Sequence, residues 1–282
     1  MRKYIYLFII SIFMLSACGT RSPITKEPVT NTFKDHEIIN VHGNVKNLKR
    51  LDQFVKLVSD GVKDSIRITN YTIEGDPIFN EVVYDEKQLT ITNDTTEDKF
   101  GPKERTTYTC KNIERNETDS ELVYMLMDCE ATDGTKGDKP LLKIRYNLAE
   151  QDYFAFRLEH GVNQKNIIDT KEQKLVKDLQ NGELATVSDF QFTKVELQQI
   201  YKLLVLAGYL GEKKFSHDCH EEPNSTYLLK VWINQGEREY GWNRCDKSSD
   251  GQQMTKMADA ILEVLKENET YEQLPEIKGY YK

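Results

Sequence analysis

The chain predicts an α+β protein: one helix packed on an antiparallel sheet, followed by a second, smaller α+β unit of helix, hairpin and helix. Three observations carry this prediction. A helix-spaced apolar set, Leu48, Leu51, Phe54, Val55, Val58 and Val62, leads the first half. Behind it come short alternating segments such as Thr106, Tyr108, Cys110 and Val123, Met125, Met127, Cys129, bounded by turn residues. The second half repeats the order of a helix and then a hairpin whose second strand runs toward a cysteine. Duplication and convergence on one layout both remain open.

The elements follow in order from the N-terminus. Arg2 and Lys3, the apolar run Tyr4–Met14 and Leu15-Ser16-Ala17-Cys18 read as a secretory signal over residues 1–17. The apolar run is too short for a permanent bilayer span, which needs about 20 residues. A cysteine straight after Leu-Ser-Ala resembles the bacterial lipobox, which implies lipidation of Cys18; an ordinary signal with an incidental cysteine is the alternative. Two acyl chains anchor firmly, at about 0.8 kcal/mol per buried methylene. Residues 18–35 are rich in Thr, Ser, Pro, Asn and Lys and read as a tether.

Residues 36–160 are expected as the first α+β unit. Asn47 is the candidate N-cap and Gly61 marks the exit of its helix. Strands are predicted over Ser65–Ile73, Ile78–Asp85, Gln88–Asn93, Arg105–Ile113 and Glu121–Cys129, then Leu141–Leu148 and Tyr153–Glu159. The last two extend the first sheet or open the second unit. Residues 161–190 are polar, with a weak helical run near Glu172–Gln180, and read as a linker. In the second unit, residues 191–282, Thr193 and Glu196 form a capping box between Phe192 and Leu197, predicting a helix from Lys194 to about Tyr209. Thr226–Ile233 and Arg238–Asn243 read as a hairpin, and Met254, Met257, Ala258, Ile261, Leu262 and Leu265 as the stripe of a final helix.

Cysteine usage fits an exported protein. Cys110, Cys129, Cys219 and Cys245 are even in number and read as disulfides. Neighbour pairing, Cys110–Cys129 and Cys219–Cys245, closes loops of roughly 20 and 27 residues, each contributing about 3 kcal/mol by loop entropy. The other two connectivities would cross domains. A formal net charge of −8 argues against nucleic acid and against anionic lipid as docking partners, because phosphate binding needs clustered Lys and Arg. Charged residues at 30% and a mean hydropathy of −0.63 describe a body with no second membrane segment.

Candidate chemistry is sparse. In "RITNYTIEGDPIFNEVVYD", residues 67–85, Glu74-Gly75-Asp76-Pro77 joins two strand-like runs. Turn chemistry accounts for Gly75, Asp76 and Pro77. It leaves Glu74 unexplained, so Glu74 and Asp76 are candidate binding residues. Trp232 is out of phase with Leu229, Val231 and Ile233 and so faces away from the main apolar set. With Tyr227, Tyr240 and Trp242 nearby, one face of that hairpin is a candidate aromatic surface, against packing on the terminal helix as the alternative. His217, Cys219, His220, Glu221 and Glu222 crowd together, but zinc sites draw paired ligands from two places and no second cluster exists. No Gly-x-Ser-x-Gly, His-Glu-x-x-His or phosphate-loop pattern occurs. No catalytic residue, metal or cofactor is therefore assigned.

The segments "HGNVKNLKRLDQFV", "IRITNYTIEGDPI" and "DKFG", followed by Cys110 and Cys129, resemble a domain of unknown function. It occurs in secreted lipoproteins of Gram-positive, Bacillus-like bacteria, and the resemblance covers about residues 36–130. "KVWINQGEREYGWNRCD" and "LPEIKGYY" are similar to a region accompanying that domain. The resemblance implies boundaries and an extracytoplasmic location, and no chemistry. The expected function is a non-enzymatic lipoprotein, anchored on the outer face of the cell membrane, that binds a surface protein or wall component. An envelope hydrolase, or an accessory or inhibitor of a surface enzyme, is the alternative.

Overall fold

The structure, a computed structural model, describes residues 37–216, 219 and 222–281. The signal segment, Cys18, the tether, and His217, His220 and Glu221 lie outside the described residues. The body from residue 37 onward belongs to one compact unit.

Its architecture corrects the α+β prediction. The protein is mostly β, built on sheets of nine and six strands, and the first sheet curls into a half-barrel. The first sheet contains β1 (Glu37–Val41), β2 (Asn44–Lys46), β3 (Asp64–Tyr71), β4 (Pro77–Tyr84), β5 (Leu89–Asp94), β6 (Arg105–Cys110), β7 (Asn112–Glu117), β8 (Glu121–Ala131) and β9 (Lys136–Arg145). Their order is β2-β1-β3-β4-β5-β6-β8-β7, with β9 on the other side of β8. β6 and β7 share one side of β8, and the register breaks between Leu126 and Cys129, where Asp128 has a φ of 50°. Such an irregularity bends a strand and increases its twist. Pro140 sits in β9 beside the register break between Tyr124 and Met125, and a bulge is a position where a strand tolerates proline.

The helix α1 (Leu48–Ser59) lies within this curl and touches β1 and β3 at one end of the strand order and β7 at the other. Leu51, Phe54 and Val58 are its buried stripe. Arg50 Nη2 donates to both Asp64 carboxylate oxygens at 2.7 Å and to the Ser65 carbonyl at 3.0 Å. Asp52 accepts from Arg115 Nε at 2.9 Å and from the Tyr124 hydroxyl at 2.6 Å. Periodicity identified the buried face of this helix; the curl depends on long-range pairing, which periodicity does not encode. Asn47 occupies the N-cap position, yet its side chain donates to the Glu37 carbonyl at 3.1 Å and makes no cap bond.

The second sheet contains β10 (Phe154–Val162), β11 (Asn166–Asp169), β12 (Lys174–Asp178), β13 (Leu184–Ser188), β14 (Ser225–Ile233) and β15 (Gly236–Asn243). Its order is β13-β12-β11-β10-β14-β15, antiparallel throughout. The expected linker is thus three strands, and the weak helical run near Glu172–Gln180 is β12. Alternation is lost there because Leu175, Val176 and Asp178 are all buried. The C-terminal tail covers this strand's end: the Lys278 and Gly279 amides donate to the Leu179 carbonyl, and the Tyr281 hydroxyl bonds Asp178. The predicted C-terminal hairpin is not the core of a separate unit, since β14 pairs with all nine residues of β10. Residues 139–160 divide, β9 joining the first sheet and β10 the second.

α2 (Lys194–Leu206) and α3 (Ser249–Lys266) follow, with a short α4 (Glu269–Glu272). The capping box on α2 is present, with the Thr193 hydroxyl accepting from the Glu196 amide at 3.2 Å and Glu196 accepting from the Thr193 amide at 2.6 Å. α3 buries Met254, Met257, Ala258, Ile261 and Leu265 as its stripe predicts. These helices and the inward residues of both sheets form one continuous apolar cluster. Gln198 of α2 fastens the end of β9 to the β7–β8 turn: its amide N donates to the carbonyls of Asp119 (2.8 Å) and Tyr146 (2.7 Å), and its oxygen accepts from the Leu148 amide at 2.9 Å. Cys110 pairs with Cys129 between β6 and β8, and Cys219 pairs with Cys245 beyond β15. Among the described residues, no helix is long and apolar enough to cross a membrane.

Candidate functional site

Strand alternation gives the second sheet two chemically different faces. Tyr227, Leu229 and Val231 of β14 point inward and are buried. The intervening Leu228, Lys230 and Trp232 take the opposite face. Register sets Lys230 between Arg157 of β10 and Glu239 of β15, and Trp232 opposite Glu237. Arg157 also faces Asp169 across β10 and β11. The result is an open trough of about 290 Å³ on the outer face.

Its floor is fixed by Asp169, which is 1% exposed. One carboxylate oxygen accepts from the amides of Lys171 (3.0 Å) and Glu172 (2.9 Å), shaping the turn after β11. The other accepts from Arg157 Nη1 at 2.9 Å. Arg157 Nε donates in turn to Glu159 at 2.8 Å. Glu159 and Asp169 therefore both commit an oxygen to one guanidinium.

Trp232 forms the apolar part of the wall. Two ammonium groups lie over its ring, Lys171 Nζ at 4.6 Å and Lys230 Nζ at 5.3 Å from the centroid. The negative face of an indole attracts such cations by about 0.5–1 kcal/mol at an exposed site. The indole N–H donates to Glu237 at 2.9 Å, and Lys230 approaches the same carboxylate at 3.2 Å. Lys230 and the indole together hold the Glu237 carboxyl below its ordinary range. Among the described residues, Lys171 has no carboxylate within ion-pair distance. The trough thus offers an ammonium held over an indole with no carboxylate partner, flanking carboxylates and an aromatic wall over a rigid base.

Asp76 and Glu74 do not join Trp232. Gly75 takes a φ of 89° in the turn between β3 and β4, and Pro77 opens β4. Asp76 is 4% exposed and binds Lys99 twice, through the ammonium at 2.7 Å and the backbone amide at 3.0 Å. Lys99 holds its carboxyl below the usual range. Asp76 ties this turn to the loop after β5, and Glu74 stands exposed at the tip. Among the described residues, no three His, Cys, Asp or Glu side chains gather as a metal site.

The expected aromatic surface also divides. Trp242 and Tyr227 are 5% and 1% exposed on the inner face. Trp242 donates to Thr255 of α3 at 3.0 Å and stacks on Tyr227 with centroids 4.9 Å apart. Packing on the terminal helix therefore describes Trp242, and the outer position describes Trp232. Sequence reasoning missed Arg157, Asp169, Lys171 and Lys230. Lys230 was findable, two residues before Trp232 on the same strand face. Asp169 and Lys171 were hidden by reading their segment as a linker.

No curated protein and no solved structure matches the chain. A domain of unknown function, DUF4362, is found at residues 35–125, a stretch that ends within β8 and does not reach the trough.

Proposed function

We propose that the protein is an extracellular lipoprotein, anchored to the membrane through Cys18, whose second sheet binds a component of the cell surface. The reading of the first eighteen residues and the even set of body cysteines support the location. One observation carries the binding role: the Trp232 trough is an aromatic, mixed-charge groove on a sheet face that neither α2 nor α3 lines. Its charges suit an amphoteric ligand bearing an amine and a carboxylate together, the chemistry of the peptide part of a cell wall. A wall peptide would place its carboxylate at Lys171, its amine among Glu172 and Glu239, and an apolar side chain on Trp232. Trp232 and Trp242 are the only tryptophans, so indole fluorescence reports on this surface. Purified wall peptides should produce a saturable change in the soluble body that is absent in Trp232→Phe. An unchanged spectrum at millimolar peptide would count against the reading, and turnover of the peptide would replace it with a hydrolase.

A further inference from the structure

A second, larger cavity of about 380 Å³ lies elsewhere in the fold, where β2 meets the C-terminal end of α2 and the start of α3. Two glycines permit this approach. A Cβ on Gly208 would stand 2.9 Å from Asn44 Oδ1, and one on Gly211 would collide with the Asn44 amide. Gly208 also has a φ of 60°, which ends α2 in a left-handed turn. The β2 segment therefore seats directly against the end of α2, and the walls come from three elements.

The cavity is cationic within an acidic protein. Lys46, Lys213 and Lys214 line it, against Glu212 and Asp250. Lys213 is the unusual member, because its side chain is only 6% exposed. Its ammonium donates to the Ala207 carbonyl at 2.8 Å, and its nearest polar side chains stand off at 3.5 Å, Gln253 Oε1 and Asp250 Oδ1. Asp250 spends its second oxygen on the Lys214 amide at 2.8 Å. Burial pushes the Lys213 ammonium down from its ordinary range; the Asp250 carboxylate opposes that shift, and the neighbouring Lys46 charge adds to it. Lys46 and Lys214 lie at the exposed rim, and among the described residues neither side chain has a carboxylate within ion-pair distance. The Lys213 ammonium thus has one counter-ion, Asp250 at 3.5 Å, which it shares with the Lys214 amide, and an anion in the cavity would add a second.

We propose that this cavity binds a phosphate group, with Lys213 at its base and Lys46 and Lys214 at its rim. Lysine binds phosphate as a point charge, and three lysines lining one cavity suit a tetrahedral oxyanion. The group comes either as inorganic phosphate or as the phosphate of a small monoester, and the volume admits both. This site is separate from the Trp232 trough, so the two proposals stand or fall independently.

The test is calorimetric titration of the soluble body with inorganic phosphate and with glycerol 3-phosphate, using sodium chloride at matched ionic strength as the control. Saturable binding of at least one phosphate compound is expected, weakened at least tenfold by Lys213→Met and about threefold to tenfold by Lys46→Ala with Lys214→Ala. Tighter binding of the ester would identify a phosphorylated small molecule, and equal binding would identify the oxyanion itself; both support the site. Because Lys213 also holds the end of α2, its variant has a structural risk, and the exposed rim pair decides the matter alone. Heats matched by chloride, or phosphate affinity unchanged in the rim double variant, would overturn the proposal. Trp232→Ala should leave phosphate binding intact.

Discussion

Trp232 and Trp242 stand ten positions apart on paired strands of one hairpin and do opposite jobs. Trp242 faces inward, stacked on Tyr227 and bonded to α3 through Thr255. Trp232 faces outward, with two lysine ammonium groups over its ring and its N–H on Glu237. The strand's period of two separates them, so the same sheet satisfies folding on one face and leaves the other to recognition. Residues between the helices and the sheet answer to packing, whereas those in the trough answer to charge and exposure.

The largest effect expected from breaking this comparison is on the inner face. Trp242→Ala should cost about 3–5 kcal/mol, the range for emptying a large buried aromatic site. Urea unfolding would measure it, and a cost under about 1 kcal/mol would deny the inner role. Beneath the trough, Asp169→Ala removes the acceptor of two backbone amides and of Arg157. Lost hydrogen bonds to a buried carboxylate should cost about 2–3 kcal/mol and loosen the turn carrying Lys171. Equal stability with weakened peptide binding would show that Asp169 positions the site without supporting the fold.

His160 adds a pH test of the inner layer. It stacks on Tyr227 at 6.4 Å, and burial followed by the charge of Arg244 pushes its pKa down to about 4, partly offset by Asp259. Its folded value lies below the unfolded value near 6.5, so the unfolded chain takes up the proton first. Stability from the neutral imidazole is complete above pH 6.5 and is lost as pH falls toward 4. The loss is of order 2–3 kcal/mol. Denaturant midpoints measured from pH 7 to 4 should fall less steeply in His160→Phe than in the unsubstituted protein. At the acidic turn, Asp76→Ala should cost about 1–2 kcal/mol, because it strands the Lys99 amide, whereas exposed Glu74→Ala should stay within about 0.5 kcal/mol. Trp232→Ala, on the outer face, should also be mild, under about 1 kcal/mol of stability.

The same contrast explains what was legible beforehand. The stripe of α3, the capping box of α2, the β3–β4 turn and the outward phase of Trp232 are local patterns, and each has its local structure here. The α+β layering was wrong because strands from the supposed linker pair into the second sheet and because the first sheet closes around α1. Both depend on partners far away in the chain. In β12 Leu175, Val176 and Asp178 are all buried, so the segment lacks the alternation that marks a strand. The trough combines Arg157, Asp169, Lys171 and Lys230 from β10, β11, the turn after it and β14, so only the assembled sheet brings it together. Asp76 is a candidate only as the neighbour of the unexplained Glu74; its partner Lys99 lies 23 residues away, beyond the reach of local pattern.

The central claim is that the outer face of the second sheet recognises an amphoteric surface ligand. Its most direct test is titration of purified wall peptide against the soluble body and its Lys171→Ala variant, followed by the two-dimensional amide spectrum. The account predicts saturable shifts clustered on residues 157–172 and 228–239, with affinity falling about tenfold in the variant. Shifts centred on other surfaces, or equal affinity for both proteins, would contradict it.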